Sequence, residues 1–288
     1  MNRTMYILGF ASLLFAGRSG ILHSQDNQNL RLNVMTYNIR YASDQPETHS
    51  WNNRRDGIVE IFSGVDIAGL QEVLPIQVEY LKAKLPGYRM IYRSREKDPQ
   101  DGEGVPLLYR QDQFAMLDSG IFWLSGTPEV AGSNTWQAAC NRIVTWCRLR
   151  DIPSGREFFV FNTHLDHVSQ YAREMSIRLI LDYISKMASG LPVILMGDFN
   201  VEEDNVVYRT ITEYGLKDAY REIHPVSDST DLTFHGWRSE TGLSRIDYIF
   251  VSHEIKIRNA EVIRKKIHGI YPSDHLPVIS EIEVADHD

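Results

Sequence analysis

The chain has 288 residues, 43% of them apolar, and a formal charge of −8, which is enough for one large core or at most two small ones. That acidic balance is no footprint for tight, nonspecific polyanion binding, although a metal ion and a few local cations suffice to hold a single phosphate. With only Cys140 and Cys147, a disulfide scaffold and a thiolate-rich zinc site are both excluded. At the N-terminus, Asn2 and Arg3 precede the apolar run Met5–Ala16, too short for a stable bilayer anchor and typical of a secretory signal peptide. We assign residues 1–24 to that signal, with cleavage near Ser19 or Ser24, and expect an exported protein, periplasmic or secreted. No cysteine lies in the segment, which argues against lipidation. No repeat or linker divides the remainder, so residues 29–288 read as one catalytic domain.

In chain order, the strand pattern Leu32–Asn38 closes on Asn38. Ile58, Ile61 and Phe62, interleaved with Arg55, Asp56 and Glu60, have helical spacing across Arg54–Ser63. The strand Ile67–Glu72 ends in Glu72, and a helix fits Gln77–Leu85. Leu107–Trp123 and Ile143–His164 are strand-rich. Ile121–Leu124 is continuously apolar, which fits a buried strand better than a membrane-inserting hairpin. Cys140 and Cys147 both fall on a strand near Asn141–Leu149. There they would lie about 23 Å apart, at about 3.3 Å per residue, and on opposite faces, too far apart to bond.

The strand Phe158–His164 ends in His164, and the helix Ser169–Ala188 buries Ile177, Ile180, Leu181 and Ile184. Val193–Met196 reads as a strand buried on both faces; Gly197 permits a sharp turn, and Asp198 and Asn200 then emerge at the strand's end. Asp247 stands near the start of the strand Arg245–Val251, and Asp274 and His275 precede the last strand, Val278–Val284. Taken alone, each polar strand end has a plain structural reading, such as an Asx turn at Asp198 or a satisfied structural histidine. Together they predict an α/β fold of two sheets packed face to face with helices outside, their strand ends sharing one ligand-binding rim.

At these residues the chain resembles a family. Thr36-Tyr-Asn-Ile-Arg40, Gln71-Glu-Val73, Asn162-Thr-His164, Gly197-Asp-Phe-Asn200, Arg245-Ile-Asp-Tyr-Ile-Phe250 and Ser273-Asp-His275 resemble, in order, the motifs of the endonuclease/exonuclease/phosphatase superfamily. The resemblance spans residues 30 to 285 and singles out no subfamily. It implies a deoxyribonuclease I-like four-layered α/β sandwich, with two mostly antiparallel mixed sheets flanked by helices, and a metal-dependent hydrolase of phosphate esters.

Such hydrolysis needs a positioned water, neutralised phosphoryl charge and help for the leaving oxygen. Glu72 is the first choice of ligand for Mg²⁺, with Mn²⁺ as a substitute, and Asn38 and Asp274 complete or flank that site. Arg40 stands where other branches of the family carry an acid, so no second ligand is expected there. Asp198 is placed to take a proton from the attacking water, and Asn200 to hold that water or a phosphoryl oxygen. The resemblance pairs His275 with Asp247 and His164 with Glu103, and matches Arg142 to an arginine near the scissile phosphate. Phe234 and Trp237, in the loop before the Asp247 strand, would stack on a base or lie against a lipid.

The expected function is an exported Mg²⁺-dependent phosphoesterase in which Asp198 activates the water. A nuclease, endonuclease or 3'-5' exonuclease on DNA or RNA, is placed ahead of a sphingomyelinase-like or inositol-phosphatase-like enzyme on lipid or sugar phosphates. An inactive binding module on the same scaffold is the weakest reading, because the acids and imidazoles it would have lost are all present. The expected partner is a phosphate-ester substrate, nucleic acid foremost, with no stable membrane anchor and no obligate protein partner.

Overall fold

The computed structural model describes Met1 and residues 30–43, 47–238 and 243–285; apart from Met1, the expected signal peptide lies outside the described residues. The chain begins with β1 (Leu30–Asn38), α1 (Trp51–Ile61), β2 (Ile67–Gln71), α2 (Pro75–Lys84) and the short β3 (Tyr88–Ile91). Four strands follow without a helix: β4 (Leu107–Arg110), β5 (Phe114–Trp123), β6 (Ile143–Asp151) and β7 (Glu157–His164). Next come α3 (Gln170–Met187), β8 (Val193–Asp198), α4 (Val206–Glu213), β9 (Lys217–Asp218) and α5 (Ala219–Ile223). The last elements are β10 (Asp247–Val251), β11 (Ile255–Val262) and β12 (Val278–Val284).

These strands form two six-stranded mixed sheets, ordered β11-β12-β1-β2-β4-β3 and β5-β6-β7-β8-β10-β9. Only β1–β2 and β7–β8 pair in parallel, and a helix makes each of those crossovers, as the βαβ connection requires. One face of each sheet packs on the other. Leu32, Val34 and Ile282 from the first sheet meet Phe158, Val160 and Met196 from the second. The outer face of the first sheet is covered by α1 and α2 through Ile58, Ile61 and Leu81. That of the second is covered by α3 and α4 through Ile177, Ile180 and Val207. The result is the expected four-layered sandwich, and Phe158–Phe161 of β7 and Val193–Met196 of β8 are unbroken apolar runs because both their faces are buried.

A polar bridge also crosses between the sheets. Gln71 Nε2 donates to Asn162 Oδ1 at 2.7 Å, and Asn162 Nδ2 donates to the carbonyls of Leu70 and Pro106 at 2.8 and 2.9 Å. Two of the motif residues therefore bond to one another in the core and fix the offset between the layers. One expectation needs correction: β6 begins at Ile143, so Cys140 lies in the preceding loop, and only Cys147 is a strand residue.

At Gly197 a Cβ would stand 2.1 Å from the Thr163 carbonyl oxygen on the neighbouring strand, and backbone cannot swing aside as a side chain can. Gly197→Ala is accordingly expected to destabilise the fold by about 2–4 kcal/mol by prising β7 from β8. Urea denaturation checks this; a midpoint unchanged from wild type would contradict it.

Candidate active site

Strand register lines up the chemistry. His164 pairs with Asp198 across the parallel β7–β8 ladder, and Asp247 pairs with Asp198 across the antiparallel β10–β8 ladder. Asp247 reaches the rim from the start of its strand because β10 runs the opposite way. In the first sheet Asn38 ends β1 and Glu72 follows β2 directly. The two rows meet at Asn38, whose Nδ2 donates to Glu72 Oε1 at 3.1 Å and to Asp198 Oδ2 at 3.0 Å. Ser273 Oγ donates to the Asn38 carbonyl at 2.7 Å and so draws Asp274 and His275 to the same rim.

Tight turns aim these groups. Arg40, Glu72 and Asn200 adopt φ of 56°, 60° and 52°, a left-handed conformation costing about 1–3 kcal/mol at a non-glycine residue and characteristic of functional sites. Asn200 N–H donates to Asp198 Oδ1 at 3.0 Å, and its Nδ2 donates to the Leu165 carbonyl at 3.0 Å, so the residue braces the carboxylate.

Arg54, at the start of α1, is a buried anchor for this rim. Its guanidinium donates to the carbonyls of Ile39, Arg40 (2.6 Å), Tyr41 (3.0 Å) and Pro272 (3.2 Å), tying the turn after β1 to the segment carrying Asp274. Arg54→Ala would strand four or more acceptors in the interior and is expected to cost about 3 kcal/mol. Thermal unfolding tests this, and a loss under 1 kcal/mol would show the anchor to be dispensable.

The rim opens into a cleft of about 630 Å³, where Glu72, His164, Asp198, Asn200, Asp274 and His275 converge. Asp198 Oδ2 sits 3.4 Å from His164 Nε2 and 3.8 Å from His275 Nε2. Burial, reinforced by the nearby Asp247 carboxylate, pushes the Asp198 carboxyl up to about 7. His275 Nδ1 bonds Asp247 Oδ2 at 2.9 Å, and Thr233 Oγ1 donates to the same oxygen at 2.6 Å. Burial lowers the affinity of His275 for its proton, but Asp247 outweighs it and holds the imidazolium to about 10.

Asp198, Asp247 and His275 have ligand atoms within 4.8 Å of one another, the spacing of a possible metal cluster. The hydrogen bond between His275 Nδ1 and Asp247 Oδ2 already ties that trio into a histidine–carboxylate array. The donor set that does fit a hard cation is Glu72 with Asp274, both oxygen donors; the expected Asn38 ligand is corrected, because its amide turns Nδ2 toward Glu72 and Asp198 and its oxygen toward the Arg40 N–H. Arg40 already bridges the two carboxylates, with Nη1 3.4 Å from Glu72 and Nε 3.7 Å from Asp274. Burial alone would raise the Glu72 carboxyl, yet Arg40, His275, Asn38 and Tyr41 together keep it below its usual value and ionised.

The expected partner of His164 is corrected. Glu103 pairs with Arg95 Nη1 at 2.7 Å, and His164 Nδ1 is buried with no hydrogen-bond partner among the described residues. A guanidinium offers Glu103 a charge-assisted bond that a neutral imidazole cannot match. Burial, then repulsion from Arg142 and Arg95, holds His164 well below the usual histidine range and so neutral. Phe234 packs on the His275 ring at 4.8 Å between centroids, while Trp237 stacks on His49 at 4.3 Å; both line the cleft. Arg142 is buried just before β6 and also lines the cleft.

Arg95, Asp166, His167 and Thr233 were missed. Arg95 sits in the irregular charge run Arg93-Ser-Arg95-Glu-Lys97, which carries no periodic signal. Asp166 and His167 directly extend the Asn162-Thr-His164 motif, and a second acid and imidazole that close to a strand end was a usable cue.

A buried carboxylate flanked by two imidazoles, beside an all-oxygen cation site and several guanidinium groups, is the layout of a metal-assisted hydrolase of phosphate esters. The sequence profile of the Endonuclease/Exonuclease/phosphatase family matches residues 35–275, and the chain belongs to that family, whose members hydrolyse phosphoesters. Among solved structures it is 35% identical to an endonuclease/exonuclease/phosphatase from Bacteroides vulgatus, with TM-score 0.82 over 88% of this chain and 99% of that one. It is 32% identical to a mannosyl-6-phosphatase from Bacteroides thetaiotaomicron, with TM-score 0.80 over 87% of this chain and 99% of that one. Nocturnin from Drosophila melanogaster is 23% identical over 92% of this chain, which spans 48% of the length of that relative.

Proposed function

We propose that the chain is a divalent-metal-dependent phosphoesterase whose preferred substrates are small organic phosphates of the sugar-phosphate kind. The observation that carries this reading is the cluster of Arg40, Arg95 and Arg142 in one cleft whose volume suits a small molecule; Arg40 and Arg95 are already paired with Glu72, Asp274 and Glu103, and Arg142 keeps two N–H groups with no partner among the described residues. A phosphomonoester presents a dianion, which rewards clustered cations more than the single charge of a diester does. The likeness to a mannosyl-6-phosphatase over nearly the full length of both chains supports the same class. The nuclease reading draws on nocturnin and the yeast Ccr4 exoribonuclease, which are 23% and 22% identical.

In the proposed reaction Asp198 accepts a proton from the attacking water while Asn38 and Asn200 hold its carboxylate in place. His275, oriented by Asp247, directs Nε2–H toward the phosphoryl group and offsets the charge that builds there. His164 Nε2 occupies the other side of Asp198 and helps define where the water sits. Glu72 and Asp274 would hold Mg²⁺ or Mn²⁺, and the ion would supply charge neutralisation on a phosphoryl oxygen.

The test is turnover with Mg²⁺ of mannose 6-phosphate, inositol phosphates, a chromogenic diester, single-stranded DNA and RNA. We expect kcat/KM for at least one monoester to exceed that for every diester by about 10²-fold or more, roughly 3 kcal/mol of transition-state discrimination. Faster cleavage of RNA or DNA would overturn the sugar-phosphate reading. EDTA is expected to abolish turnover and added Mg²⁺ to restore it. Glu72→Gln should weaken Mg²⁺ binding by about 10-fold or more in calorimetry, because one of two anionic ligands becomes neutral. Wild-type Mg²⁺ affinity in that variant would remove Glu72 from the cation site.

A further inference from the structure

Arg142 is a buried guanidinium with donors to spare. Nη2 lies 3.1 Å from His167 Nδ1, whereas Nε and Nη1 have no hydrogen-bond partner among the described residues. Burial and then Arg95 disfavour the Arg142 charge, and the nearby Cys140, Glu103 and Asp198 offset this only in part. Such a group is stable only if something else fixes its orientation and an anion shares its site. The first requirement is met by His167. A guanidinium can only donate, so His167 Nδ1 must accept, and the neutral imidazole carries its proton on Nε2.

The backbone at His167 is itself held firmly. The buried Asp166 carboxylate accepts from Val168 N–H and Ser169 N–H at 3.0 and 2.7 Å, on the far side of His167. It also accepts from Ala139 N–H and Cys140 N–H at 2.8 and 3.3 Å, in the loop that leads into Arg142. Arg173, in the first turn of α3, donates to the Asp166 carbonyl at 2.8 Å. One carboxylate thus clamps together the two segments that carry the imidazole and the guanidinium. His167 stays exposed at the mouth of the cleft while its Nδ1 faces inward.

We propose that His167 is a positioning residue, acting through Arg142 to hold the guanidinium's unpaired N–H groups ready for the oxygens of a phosphate in the cleft. The proposal deepens the phosphoesterase reading and rests on it for the identity of the anion. Its test uses orthophosphate binding, which needs no turnover. Calorimetric titration of orthophosphate into the protein with Mg²⁺ present should show affinity falling about 10-fold in His167→Ala and at least as far in Arg142→Ala. The double variant should be no weaker than Arg142→Ala alone, because both substitutions remove one interaction. His167→Asn, which places an acceptor oxygen near the position of Nδ1, should recover most of the loss, whereas His167→Leu should not. A merely structural role would lower the melting temperature and leave Asn and Leu alike. Additive losses in the double variant, or unchanged phosphate affinity in His167→Ala, would overturn the proposal. Should the wild type bind orthophosphate with this pattern yet hydrolyse no ester, the phosphoesterase reading fails and the positioning role stands.

Discussion

Asp198→Asn is expected to lower kcat by at least about 10³-fold while the protein stays folded. The amide keeps the shape of the side chain and its contact with Asn200 N–H, gives up the hydrogen bond from Asn38 Nδ2, and cannot accept a proton from water. A folding effect in the opposite direction accompanies this loss. Asp198 is buried next to Asp247, and a carboxyl whose folded pKa is raised makes the ionised form destabilising at pH values above it. Measured in EDTA at pH 8, relief of that buried charge should offset the lost Asn38 hydrogen bond, and the asparagine variant should melt close to the wild-type temperature, the signature of a residue kept for function. Steady-state kinetics and calorimetry read the two effects separately. Wild-type turnover in the variant would exclude Asp198 as the base, and a large drop in melting temperature would make it a structural residue.

His275→Ala should cost about 10²- to 10³-fold in kcat, and Asp247→Asn should cost nearly as much. The two residues act as a unit: Asp247 Oδ2 holds Nδ1–H at 2.9 Å, which fixes the ring's orientation and leaves Nε2–H facing Asp198 and the cleft. The double variant should consequently lose little more than His275→Ala alone. Asp247 also receives Thr233 Oγ1 at 2.6 Å, so Thr233→Val should show a smaller version of the same defect. Multiplying losses in the double variant would mean that the imidazole and the acid work independently, contrary to the geometry.

Most of the rim was legible in the sequence because of how it is built. Apolar runs buried on both faces must stop where a polar side chain begins, so Asn38, Glu72, His164 and Asp198 announced the ends of β1, β2, β7 and β8. Sheet register then carries those ends together, as the His164–Asp198–Asp247 row shows. What escaped notice lacked a period. Strand β11 bends at an irregularity between Ile257 and Asn259 that breaks its two-residue alternation. Strands β3 and β9 and helix α5 are too short to establish a pattern. Arg54 acts through backbone carbonyls, which leave no trace in residue identity. The Glu103 assignment went astray because Arg95, from an unpatterned loop, competes for the carboxylate and wins on charge.

Hydrolysis in H₂¹⁸O of a phosphate ester that the enzyme turns over puts the central chemistry to its most direct test, with the products read by mass spectrometry. Water activated by Asp198 and delivered to phosphorus places one ¹⁸O in the released phosphate and none in the alcohol. Label in the alcohol, or turnover that continues undiminished in Asp198→Asn, would contradict attack at phosphorus from this cleft.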